Sequence, residues 1–247
     1  MTPHYRVGTA GWHYAHWRGA FYPADAPPGR WLPYYARYFD TVEINRSFYR
    51  LPSPDTWREW YDAVPADFCF AVKASRYLTH WRKLKSPQPA TADFIRSTDA
   101  LGKKRGPLLF QLPPRWRCNT QRLTEFLAVL PPEEEHVFEC RDPSWHRDEI
   151  YTLLARHNAA FCIYDLGGFQ SPRPVTADFA YLRLHGPGAP YCGRYDEDAL
   201  RRWAEEIGSW RRLRHVYVYF DNDQAGYAVD NALRLKTLLG EARLSMG

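Results

Sequence analysis

The sequence holds no Cys-x-x-Cys pair, no Gly- or Ser-rich linker and no low-complexity stretch. Its five cysteines, Cys69, Cys118, Cys140, Cys162 and Cys192, are odd in number and lack metal-ligand spacing. That argues against a disulfide framework and against a zinc site. No apolar run reaches the roughly 18 residues that a membrane span requires. Residues 1–6 carry no apolar stretch of secretory-signal length, so a reduced, cytoplasmic protein is expected. Neither the P-loop pattern nor the dinucleotide fingerprint occurs, and no organic cofactor is expected. Charge of one sign is also scarce. The net charge is +5 and the isoelectric point about 8.9, short of the clustered excess of a dedicated nucleic-acid binder.

What is present is an ordinary globular composition, 45% hydrophobic and 25% charged, over 247 residues. That length suits one β/α barrel. Eight short apolar runs recur at 6–9, 41–44, 68–74, 108–112, 136–140, 160–164, 181–184 and 216–220. Their starts lie about 30 residues apart, the length of one βα unit. Helical periodicity fills several intervals, over 56–63, 120–130, 196–210 and 231–239. Alternation of strand and helix predicts a parallel sheet. The expected fold is α/β, a single (β/α)8 TIM-like barrel spanning residues 1–247 as one domain.

A parallel strand buried on both faces should be apolar throughout. These strands are not. Period-two alternation places Glu43 and Asn45 opposite Val42 and Ile44, and Lys73 opposite Phe70 and Val72. The same reading picks out Gln111, Glu139 with Arg141, Asp165, Arg183 with His185, and Asp221 followed by Asn222 and Asp223. On strand after strand, one face turns polar toward the C-terminal end. In a barrel those ends form the catalytic mouth. A buried lattice of ion pairs is the structural alternative, but desolvation usually cancels the Coulomb gain of such pairs.

Other features are weaker. Gly8-Thr9-Ala10-Gly11-Trp12 reads as a tight turn before it reads as an anion cradle. Trp12, Tyr14, Trp17, Phe21 and Tyr22 suggest a small aromatic core in a loop. His80 follows the third strand and is either solvated or beside the mouth. Lys103-Lys104-Arg105 reads as a positive cap at a helix C-terminus.

These residues also carry a resemblance. The opening turn with Trp17-Arg18-Gly19 and Phe21-Tyr22-Pro23 resembles the start of the DUF72 (YecE-like) family. So do Thr41-Val42-Glu43-Ile44-Asn45 with Phe48-Tyr49-Arg50-Leu51-Pro52, and the stretch from Phe70 to Lys73 with Thr79-His80. Gln111-Leu112-Pro113-Pro114, Ser144-Trp145, Thr176-Ala177-Asp178-Phe179 and Arg183-Leu184-His185-Gly186 fit further on. Tyr217-Val218-Tyr219-Phe220, Asn222-Asp223 and Gly226-Tyr227-Ala228 fit near the end. The resemblance implies a TIM-like barrel of unestablished function, with a suggested relation to endonuclease-IV-like barrels and nucleic-acid binding. It adds Trp145 and Tyr227 to the candidate substrate-binding residues. Ser47 departs from the family's usual Thr, and Asp221 stands where Asn is more usual; the second departure adds a negative charge that bears on the mouth's cation or ligand preference.

The leading expectation is therefore an enzyme or binder of an anionic, phosphate-bearing ligand, nucleic acid included. Glu43, Glu139, Asp165 and His185 are the candidate catalytic groups. Asn45, Lys73, His80, Gln111, Arg141, Trp145, Arg183, Asn222 and Tyr227 are the candidate binding groups. Lys and Arg suit phosphate through charge-assisted bonds. One divalent metal is compatible with this set, although too few His residues gather for a three-metal site. Two alternatives stay open: a sugar-active hydrolase using Glu43 and Glu139 as a carboxylate pair, and a non-catalytic anion or nucleic-acid binding protein. Nothing indicates a membrane partner or an oligomer.

Overall fold

The computed structural model describes residues 3–85 and 87–244. Its strands are β1 (His4–Thr9), β2 (Thr41–Ile44), β3 (Cys69–Lys73), β4 (Arg105–Leu112), β5 (His136–Cys140), β6 (Ala160–Leu166), β7 (Phe169–Gln170), β8 (Phe179–Leu184) and β9 (His215–Phe220). The helices are α1 (Trp31–Tyr35), α2 (Arg46–Tyr49), α3 (Pro54–Asp62), α4 (Ala90–Ser97), α5 (Thr120–Leu127), α6 (Asp148–Arg156), α7 (Glu197–Ser209) and α8 (Tyr227–Leu244). All eight expected strands are present within a few residues of their expected bounds. The sheet order is β1-β9-β8-β6-β5-β4-β3-β2, with β7 attached to β6. The fold is α/β and TIM-like. Among the described residues no helix is long and apolar enough to cross a membrane.

α1, α2, α4 and α6 escaped the sequence reading, α1 and α2 because four or five residues carry no helical period. β7 escaped for the same reason. It is a two-residue antiparallel return, Asp165 opposite Gln170, made through Gly167 and Gly168 at positive φ. Where helices were expected, their caps account for their starts. Ser53, Asn119 and Asp196 accept the backbone N–H of Thr56, Arg122 and Ala199, and so begin α3, α5 and α7.

The chain divides into two compact units, Met1–Val42 with Ile163–Ser171 and Asp178–Gly247, and Glu43–Cys162 with Pro172–Ala177. In the first, β1, β9 and β8 run parallel, with Val7 opposite Val218 and Leu182 opposite Val218. The opening turn is tied to this sheet. The N–H groups of Thr9 and Ala10 donate to the Tyr35 hydroxyl at 3.0 Å and the Phe220 carbonyl at 2.8 Å. The plain-turn reading fits that bonding. The aromatic loop residues do form a small core. Trp17 and Tyr22 are buried, Tyr22 stacks on Trp31 at 5.2 Å, and Tyr22 donates to the Trp12 carbonyl.

In the second unit β3, β4 and β5 are parallel, with Lys73 opposite Leu109, Leu109 opposite Val137, and Gln111 opposite Glu139. The Lys-Lys-Arg run does cap a helix, but a neighbouring one. Lys104 is buried and donates to the carbonyls of Tyr61 and Val64, at and just beyond the end of α3, at 2.5 and 2.8 Å. Burial lowers the pKa of this amine.

Gly8 is a tight point of the first unit. A Cβ there would lie 2.4 Å from the Thr41 carbonyl oxygen and 2.9 Å from the Tyr35 hydroxyl. Gly8→Ala is expected to lower stability by roughly 1–3 kcal/mol, the usual penalty of overpacking. The urea midpoint measures it, and an unchanged midpoint would show that β1 has room to shift.

Candidate functional site

The polar strand ends form one cluster in each unit. In the second unit it is built at the C-terminal ends of β2 to β5. Glu43 and Glu139 are fully buried, whereas Asn45, Lys73, His80, Gln111 and Arg141 keep part of their surface exposed. Arg141 donates through Nε to Glu139 Oε1, two residues back on the same polar face. The guanidinium side chain is 8% exposed, so the pair is nearly dry. A carboxylate held this way acts as an acceptor in a charge pair.

Lys73 is anchored from its own backbone. Ser47, at the start of α2, donates to the Lys73 carbonyl at 2.6 Å and also reaches the Ile44 carbonyl. The Lys73 ammonium then sits 4.4 Å above the ring of Phe48. His80 meets the edge of the same ring at 5.0 Å, and its Nδ1 lies 2.9 Å from the Thr79 hydroxyl. Sequence reasoning missed Ser47 and Phe48 as site residues. The signal was there, since both lie in the motif that follows β2, but neither is charged. Asn45 caps the start of α2 without a side-chain bond, and its Oδ1 is a buried acceptor with no hydrogen-bond partner. Such atoms are rare enough to call for a reason.

His80 reports the local field. Burial, then the charges of Lys73 and Arg141, push its pKa down from 6.5 to about 4, against the opposing effect of Glu139. At His80 the charges of Lys73 and Arg141 thus outweigh that of Glu139, with burial the larger cause of the shift.

Two members of the first-unit cluster are sealed off. Arg183 and His185 are 1% and 0% exposed. His185 Nδ1 lies 3.0 Å from Asp221 Oδ2, and Arg183 reaches the same carboxylate at 3.4 Å. Arg183 also points a nitrogen at His185 Nε2, 3.4 Å away. A guanidinium only donates, so Nε2 accepts and Nδ1 carries the proton toward Asp221. Both ring nitrogens are thereby engaged. Asp165 is buried and accepts from Gln170, the residue that β7 folds back over it. Tyr195 also bonds to Asp165 and accepts the N–H of Gly186. Burial raises the pKa of this phenol far above its usual range. Nothing in its sequence context marked Tyr195.

Asn222 is fully buried. Its Nδ2 donates to the Gly193 carbonyl and to Asn231 Oδ1, while its Oδ1 has no hydrogen-bond partner. Asp223 receives the indole N–H of Trp17 at 2.8 Å and pairs with His16 at 2.9 Å. Burial raises its pKa to about 6. Tyr227 opens α8 and is partly exposed. In the second unit, Trp145 is fully buried, with its indole N–H on the Trp116 carbonyl at 2.7 Å. Among the described residues no three His, Cys, Asp or Glu side chains gather to hold a metal ion.

The lowered pKa of His80 links folding to pH. The unfolded chain takes up its proton near 6.5 and the folded chain only near 4. Stability from this group is present above pH 6.5 and is lost as pH falls from there to about 4. An NMR titration of the His80 ring should give a midpoint near 4, and His80→Gln should flatten that part of the stability profile. A midpoint at the usual histidine value would remove the cationic field.

Residues 6–246 match the family described as "Protein of unknown function DUF72". A DUF72 family protein from Thermotoga maritima MSB8 is 31% identical, superposing at a TM-score of 0.85 over 96% of this chain and 99% of that one. One from Enterococcus faecalis V583 is 20% identical, with a TM-score of 0.79 over 96% and 95% of the two chains. The UPF0759 protein YecE of Escherichia coli K12 is 30% identical over 211 residues, 76% of this chain and 78% of that protein.

Proposed function

The chain belongs to the DUF72 family, and from that premise we propose that the second unit binds an anionic, phosphate-bearing ligand at the C-terminal ends of β3, β4 and β5. The observation that carries this reading is His80. A half-buried imidazole is driven to about 4 by burial and by Lys73 and Arg141 together, although Glu139 opposes them. Burial is the larger cause and disfavours an ion of either sign, but the rest of the shift comes from cations facing the ring, and that part favours an anion. Lys73 supplies a compact point charge and Arg141 planar donors, the two usual ways of holding phosphate. Gln111, in register with Glu139, adds an uncharged donor at the same level.

The glycosidase alternative is less well supported. It needs one carboxyl group of the pair to give up a proton. Glu139 is instead committed to Arg141. In the first unit, Arg183, His185 and Asp221 complete one another, an arrangement that suits holding β8 and β9 in place at least as well as it suits proton transfer.

Inorganic phosphate is the first probe. Phosphate is expected to raise the melting temperature and to raise the His80 titration midpoint toward its ordinary value, because a bound anion offsets the cations. Lys73→Met should weaken phosphate binding about tenfold or more, as loss of a charge-assisted bond worth about 1.5–3 kcal/mol implies. Arg141→Met strands Glu139, so it is paired with Glu139→Gln to keep the fold. Failure of phosphate to bind, with His80 unmoved, would sink the reading.

A further inference from the structure

From Lys73 to Lys85 the chain carries Lys73, Arg76, Arg82, Lys83 and Lys85, with no Asp or Glu among them. Tyr77 and Trp81 are interleaved with these cations. A second short stretch, Arg46 to Arg50, repeats the theme with Phe48 and Tyr49. The first stretch makes a single π-helical turn, Tyr77–Trp81, in place of the solvated loop that was the other reading of His80. Such turns occur mostly as one-turn bulges and often at functional sites. Lys83 and Leu84 then adopt positive φ, 48° and 60°, which non-glycine residues rarely do. Leu84 is held there by burial and by its N–H on the Leu78 carbonyl.

The result is that two large rings face outward. Tyr49 and Trp81 are each 67% exposed, the highest values among large apolar side chains of the described residues. The Arg76 guanidinium lies 5.6 Å from the Tyr49 ring and 5.1 Å from the Trp81 ring, so one cation braces both. Phe48 joins this surface to the phosphate cluster. Its ring meets Tyr49 edge-on at 5.0 Å on one side, and on another carries the Lys73 ammonium at 4.4 Å. His80, which senses Lys73, Arg141 and Arg76 together, is the residue next to Trp81.

Exposed aromatic rings braced by arginine and ringed with positive charge suit a planar ring joined to an anion. We propose that Tyr49, Arg76 and Trp81 form a stacking platform for the heteroaromatic ring of a phosphate ester, which makes the ligand of this cluster a nucleotide. This rests on the phosphate reading above and specifies its substrate class. The phosphate goes to Lys73 and Arg141, and the base lies on the platform. Stacking on an aromatic side chain does not select among bases, because every base offers a π-face. The platform therefore confers class preference and not base identity.

The test compares adenosine monophosphate with ribose 5-phosphate by calorimetry on the full chain. The nucleotide should bind about fivefold to 150-fold more tightly, the range that one stacked base contributes. Trp81→Ala should reduce nucleotide affinity toward that of ribose 5-phosphate and leave ribose 5-phosphate unchanged. The exposure of Trp81 makes that variant safe for folding, and an unaltered melting temperature confirms it. Lys73→Met should weaken both ligands equally. Equal affinity of the two ligands for the unmodified protein, or a preference that survives Trp81→Ala, overturns the platform and leaves the phosphate reading standing. Binding of neither ligand overturns both.

Discussion

A charge can be placed at the end of a buried strand only if something nearby neutralises or hydrates it. Moving it from water without a partner costs far more than folding can supply. That constraint governs both polar clusters. Glu139 is tolerated because Arg141, two residues along the same face, closes on it. Arg183 is tolerated because Asp221 accepts from it and His185 lies against it. The period of two that sends alternate residues to the same face is also what makes these partners available.

The clusters resolve the constraint differently, and the difference separates their roles. In the first unit both ring nitrogens of His185 have partners, and Arg183 and His185 are buried, while the Asp221 side chain that joins them is 18% exposed. In the second, Lys73 keeps part of its surface exposed, the Arg141 side chain is nearly covered against Glu139, and His80 feels both cations and the opposing carboxylate. The first centres on a histidine held at both ring nitrogens, the second on two cations beside buried carboxylates.

Much of this was legible in the sequence. The eight strands were readable because apolar runs at regular spacing leave little choice of element. The polar faces were readable because alternation is a property of any strand. Lys73, Gln111, Glu139 and Arg141 came from those two rules alone, and the parallel register aligns Gln111 with Glu139. What escaped depends on contacts between distant segments. The run at Lys103–Arg105 suggests a helix cap, but no local pattern says that Lys104 reaches back to the carbonyls of Tyr61 and Val64. Tyr195 meets Asp165 across a loop whose course no local pattern reveals. Ser47 acts through a backbone carbonyl, and Phe48 through its ring face. Charge-based reasoning sees neither.

The π turn at Tyr77–Trp81 has a consequence for how this surface can change over evolutionary time. The π turn stands alone between a strand and a distant helix and takes one more residue per hydrogen-bonded ring than an α turn. A one-residue change in its length alters which side chain stands at its outer face, while the strands that bear Lys73 and Arg141 keep their positions. A single codon lost or gained here separates a barrel end that presents an aromatic face from one that does not. Relatives with the same strands can therefore differ in what they recognise without any change in their cores.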